Sequence, residues 1–162
     1  MSVHLPQPQQ VRDLFVDLLD RDVQLSPCAP VAPGPVTPAS VATYVDDLQR
    51  VRAVISCDLE LSARAGAAIG LVPTSGAERA IRSGWIDGSL GENLKEVLDV
   101  AATLFNVKGA THLRLQVLHP AGDELPHDVR SRALTLGRRQ DVELDIAGYG
   151  AGRLSVVLVE SI

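Results

Sequence analysis

The sequence predicts an α+β fold in which a largely antiparallel sheet carries its helices packed on one side. Three observations predict it. Apolar residues recur at helical spacing in two stretches, a third stretch after Asp58 is rich in small residues, and five others are β-branched or alternate apolar with polar residues. The strands are joined mostly by short turns, which link antiparallel neighbours, and not by the helical crossovers that parallel pairing needs. At 162 residues the chain has the length of one ordinary domain, so residues 1–162 are expected to form a single domain.

The elements follow in order. Residues 1–8 are expected to be disordered. Val11, Leu14, Phe15, Leu18 and Leu19 then recur at i, i+3, i+4, i+7 and i+8, with Arg12, Asp13 and Asp17 outside the stripe, which predicts a helix to Asp20. Residues 26–38 hold five prolines and a glycine, so they read as a Pro-rich connector and neither a helix nor a central strand. Ser40 to Tyr44 and Arg52 to Cys57 form a β-hairpin about the polar segment Asp46 to Arg50. Asp58 opens a second helix, Leu59 to Leu71, rich in small residues: Ala63, Ala65, Gly66, Ala67, Ala68 and Gly70. Small side chains let a helix approach its neighbour closely, at a propensity cost for each glycine. Residues 73–88 read as a polar connector with the lone Trp85, and Leu90 to Asn106 as a third helix. After Lys108-Gly109 the period switches to alternation: His112, Arg114 and Gln116 interleave with Leu113, Leu115 and Val117, a strand with one solvated face. Leu125 to Leu136 reads as a loop or short helix. Val142 to Ile146 and Leu154 to Val159 close the chain as a hairpin about the Gly-rich segment 147–152.

Composition excludes several classes of function. The 46% apolar content is too high for a disordered chain. No apolar run approaches the roughly 20 residues of a membrane span, and no signal peptide opens the sequence, so no membrane association and a cytoplasmic location are expected. A net charge of −5 and 3% aromatic residues argue against nucleic acid, which is bound through basic side chains and stacked rings. Cys28 and Cys57 make no disulfide framework and lack zinc-ligand spacing. His112 and His119 sit seven apart on and just beyond one strand, so they point to opposite faces, with no Cys or acidic neighbour at ligand spacing. Gly148, Gly150 and Gly152 lie between two strands, where a dinucleotide fingerprint would need a strand and a helix. No nucleophile turn of the GxSxG kind is present. No cofactor or metal is expected.

The feature that carries chemistry is the third helix. At 100° per residue Leu94, Val97, Leu98, Ala101, Leu104 and Phe105 fall on one face, opposite Glu92, Glu96, Asp99, Thr103 and Asn106. Most acidic stripes are simply solvated faces. Here only Lys95 stands near enough to offset three carboxylates, and like charges at helical spacing cost stability. That favours a basic partner.

The order of elements, together with this helix, resembles the CheC/CheX/FliY family of chemotaxis phosphatases, in its single-unit CheX type. The family's signature is an acidic or Ser residue, then three residues, Glu, two residues and Asn, with a Pro about twenty residues on. Glu92, Glu96, Asp99 and Pro120 fall at corresponding places. The resemblance implies that the helix docks on the receiver domain of a phosphorylated response regulator. Glu96 would pair with a receiver lysine, and Asp99 would occupy the place of the Asn that orients the attacking water. Glu92, Lys95, Thr103 and Asn106 would complete the partner-binding face, and any Mg²⁺ would be held by the receiver. Glu92 departs from the usual Asp or Ser, and Asp99 departs from Asn. An ionised carboxylate only accepts hydrogen bonds, and it brings negative charge beside a phosphoryl anion. Binding is therefore expected ahead of catalysis, with at most weak dephosphorylation of the aspartyl phosphate. The alternatives are a non-catalytic interaction or assembly domain on the same fold, and an unrelated domain whose acidic stripe is merely solvated. A homodimer is expected if one of the strands within 142–159 is left at a sheet edge.

Overall fold

Alternation along the strands decides the architecture. The computed structural model describes residues 1–159, and residues 160–162, included in the single-domain expectation, lie outside the described part. The elements are α1 (Pro8–Leu19), β1 (Val23–Pro27), β2 (Ala39–Val45), β3 (Val51–Asp58), α2 (Leu59–Ile69), α3 (Thr74–Ser83), α4 (Gly88–Val100), a 3-10 turn (Ala101–Leu104), β4 (Arg114–His119), α5 (His127–Ala133), β5 (Arg139–Ile146) and β6 (Gly150–Leu158). The strands form one sheet in the order β1-β5-β6-β3-β2-β4, with every pairing antiparallel. This is the α+β fold that the sequence predicts.

Every second strand residue points to the main core. Ala42, Tyr44, Ile55, Leu144, Ile146, Leu154 and Val156 pack there with Val11 and Phe15 of α1, Leu61 of α2, Ala77 of α3, and Leu94, Val97 and Leu98 of α4. The intervening residues Val41 and Val54 face the other way and are covered by Val129 and Ala133 of α5. The longer helices thus share one side, and the short α5 lies on the other.

Several boundaries differ from the sequence reading, each for a physical reason. Residues 1–8 are not loose: Val3 is 6% exposed within the core, the Ser2 carbonyl accepts from the Thr111 N–H, and Pro8 already opens α1. A proline at a first helical position forfeits no hydrogen bond. The Pro-rich connector begins inside β1, whose Pro27 stands at the end of an edge strand, where a missing N–H is tolerated. The rest of it must travel from one edge of the sheet to β2, four strand spacings or about 19 Å away. Val31 is buried on the way, its N–H donating to Ser155 Oγ at 2.9 Å, so the connector is an ordered strap. Residues 73–88 include a helix, α3, which buries Ala77 and Ala80. Alanines do not register as an apolar stripe, although they pack as one. β5 and β6 are both interior strands and the edges are β1 and β4, so pairing of 142–159 across a dimer has no edge to use.

The small residues of α2 have the role expected of them. A Cβ on Gly66 would stand 2.8 Å from the Leu90 carbonyl oxygen of α4, and one on Gly152 of β6 would stand 2.5 Å from the Leu61 backbone. Helix meets helix at the first and strand meets helix at the second. Gly66→Ala is expected to destabilise the protein by about 1–3 kcal/mol, the usual penalty of overpacking, in urea denaturation.

The β2–β3 turn is held by one carboxylate. Asp46 is 4% exposed and accepts hydrogen bonds from the Leu48 and Arg50 N–H groups and from the Arg50 and Arg52 guanidinium groups. Loss of water around it raises its pKa, but those four donors outweigh the effect and hold it at about 2, below the ordinary 3.8. A depressed carboxylate contributes stability above its unfolded value and loses it as the pH falls through the folded one. Asp46→Asn is therefore expected to be less stable than the parent at pH 7, with the difference shrinking between pH 4 and pH 2, in urea titrations at each pH.

Candidate functional site

α4 is fixed at both ends. At its start the Asp87 carboxylate accepts from the Leu90 N–H at 2.8 Å, an N-cap that satisfies one of the four free donors of a helix beginning. Along its buried side Asn93 reaches α2, its amide donating to the Gly66 carbonyl at 3.0 Å. In the last turn the Tyr44 hydroxyl of β2 donates to the Leu98 carbonyl at 2.6 Å, inside the core. Burial pushes the Tyr44 phenol well above its ordinary pKa, so it stays a donor throughout the working pH range. The Tyr44 ring also meets Phe105 at 5.1 Å between centroids, a favourable tilted contact.

Beyond Val100 the helix tightens into a 3-10 turn, which changes the expected polar stripe. Three residues per turn in place of 3.6 rotate every later position. Asn106, expected on the displayed face, is half-buried and turned toward β4: its amide donates to the Leu113 carbonyl at 2.9 Å and its oxygen accepts from the Leu113 N–H at 2.8 Å. It is a structural clamp. Thr103 remains exposed, but its hydroxyl donates to the Val100 carbonyl one turn back.

Four predicted site residues do share the outward face. Glu92, Lys95, Glu96 and Asp99 are all exposed, over about two turns of α4. Among the described residues none of the four side chains enters a hydrogen bond or an ion pair, Lys95 included. Pro120 follows β4 and packs beside the first turn of α4, its Cγ 4.0 Å from where a Cβ on Gly91 would stand. Among the described residues no group of three or more His, Cys, Asp or Glu side chains could hold a metal ion. No helix of the described residues is long and apolar enough to cross a membrane.

The sequence reading missed Asn93 and Tyr44, which position the face. Asn93 carried a signal, since it lies four residues before Val97 on the apolar side, where an unpaired amide would be costly. Tyr44 carried none beyond being a large residue in an apolar strand.

Six antiparallel strands with α1 to α4 on one side give a fold shared with solved CheX structures. No protein-family model and no curated protein matches the sequence. Among solved structures the chain is similar to a CheX from Borrelia burgdorferi in a complex with CheY, BeF3 and Mg²⁺, at TM-score 0.53 and 11% identity over 91% of this chain and 92% of that one. It is similar to a CheX from Desulfovibrio desulfuricans at TM-score 0.51 and 11% identity, over 93% and 95%. A third likeness is to FliM from H. pylori in a complex with SpeE, at TM-score 0.59 and 8% identity, over 93% and 80%.

The outward carboxylates carry a local cost. Asp99 stands in the last turn of α4, which contains no basic residue, so its charge faces the negative end of the helix dipole with Glu96 three residues away. Asp99→Asn is expected to raise stability by about 0.3–1 kcal/mol in thermal denaturation at low salt, with the gain fading as salt is added.

Proposed function

We propose that the outward face of α4 docks the receiver domain of a response regulator. The observation that carries this reading is the unpartnered exposure of Glu92, Lys95, Glu96 and Asp99 on a helix clamped at both ends. A rigid helix presents charges at fixed spacing, so little ordering is needed when a partner meets them. Glu96 would pair with a lysine of the receiver. Asp99, one turn on, would reach toward the phosphorylated aspartate, as the CheX resemblance implies.

Phosphoryl transfer depends on alignment and charge stabilisation far more than on covalent participation by the protein. A carboxylate can accept a hydrogen bond from the attacking water, but it repels the phosphoryl oxygens unless the receiver's Mg²⁺ offsets the charge. Docking with weak dephosphorylation is the expected balance.

A second reading, a non-catalytic assembly domain, is favoured by the carboxylate at position 99 and by the likeness in fold to FliM. The two readings separate at one residue. Receivers encoded in the same genome, phosphorylated and incubated with the protein, are expected to bind, and Glu96→Ala is expected to weaken that binding roughly tenfold, a loss of about 1.4 kcal/mol. Asp99→Asn is expected to accelerate phosphate loss over the parent. Binding without acceleration by either protein would favour assembly, and no binding would remove the receiver from the account.

A further inference from the structure

A face of four side chains is too small for a stable protein complex, which draws on roughly 20–30 residues and about 800 Å² from each side. The surface next to α4 can supply the remainder. Between α3 and the start of α4 runs a groove of about 350 Å³ lined by Val72, Gly76, Arg79, Ala80, Trp85 and Leu90. Trp85 is 51% exposed at its rim, and Leu71, which precedes Val72, is 77% exposed. Tryptophan and arginine beside a pocket are the residues that most often carry binding energy in protein interfaces.

Charge narrows what the groove would take. Among the described residues Arg79 enters no ion pair, and the neighbouring Glu78 is paired with Arg64 at 3.2 Å. The carboxylate of Asp87, also at the groove, is occupied in capping the Leu90 N–H. An apolar floor with a free guanidinium at its edge fits an apolar side chain that has a carboxylate close beside it. The groove is also continuous with the α4 face: Ser89 lines it and lies two turns from Glu96 on the same side of the helix, about 10 Å along the axis.

We infer that the α3–α4 groove is the second half of the docking surface, receiving an apolar side chain and an adjacent carboxylate from the same protein whose lysine meets Glu96. The inference rests on the α4 docking reading. One partner would thus bring a basic group to the acidic end of the surface and an apolar, acidic segment to the other. That arrangement fixes the direction in which it lies along α4.

Trp85 is the one tryptophan of the sequence, so 5-fluorotryptophan labelling gives a single ¹⁹F resonance at the groove. The full chain is titrated with BeF3-activated receivers from the same genome, and calorimetry compares the parent with Trp85→Ala, Arg79→Glu and Glu96→Ala. Both groove residues are exposed, so circular dichroism of the variants should match the parent. The expected result is a shift of the resonance on binding and a loss of affinity of about tenfold or more in each groove variant. A receiver whose binding is weakened by Glu96→Ala, but which leaves the resonance and both groove variants unchanged, overturns this inference and leaves the α4 reading standing. Binding that depends on Trp85 and Arg79 but not on Glu96 overturns the α4 reading and, with it, the joint surface inferred here. Absence of binding by every receiver overturns both.

Discussion

The close approach of α2 and α4 at Gly66 is the constraint on which the rest depends. Without a Cβ at that position the backbone of α2 lies directly against the Leu90 carbonyl, and the Asn93 amide closes the gap with a hydrogen bond to Gly66. Contact at this range leaves no freedom in how α4 is rotated about its axis. Leu94, Val97 and Leu98 are committed to the core, and the 100° step of the helix then sends Glu92, Lys95, Glu96 and Asp99 outward. The displayed face is a consequence of the buried one.

The opposite end of α4 is governed by the sheet. Tyr44 reaches out of β2 to the Leu98 carbonyl, and Asn106 ties the chain beyond the 3-10 turn to Leu113 just before β4. These bonds hold the last turn in place although Asp99 within it opposes the helix dipole and the Glu96 charge three residues back. Proteins commonly accept such local costs where a surface has work to do. The other side of the sheet is arranged differently: a Pro-rich strap and a seven-residue helix cover it, and their task is to shield Val41, Val54 and Ser155 from water.

Much of this was legible in the sequence because it depends on periodicity. α1, α4 and β4 each carry a clear repeat of 3.6 or two residues, and the β2–β3 hairpin and the small-residue helix are marked by β-branched runs about a polar turn and by composition after Asp58. What escaped lacks that repeat. β1 has two apolar positions, Val23 and Leu25, before Pro27 ends it, and α3 buries alanines amid polar residues. The site was legible in part for the same reason. The first two turns of its polar face follow from counting, whereas the fate of Asn106 depends on a helix tightening at Ala101 that no local pattern announces. Asn93 and the Trp85 groove require knowledge of which element lies across from them, and that is settled only by tertiary packing.

The central claim is that the outward face of α4 is a docking surface, and backbone amide shifts of the ¹⁵N-labelled protein would test it most directly. The full chain would be titrated with an activated receiver that it binds. The account predicts that the perturbed amides cluster from Trp85 to Asp99, with β1, α5 and the Pro-rich strap unaffected. Perturbations centred on the exposed edge of β4 or on α5, with α4 silent, would contradict it.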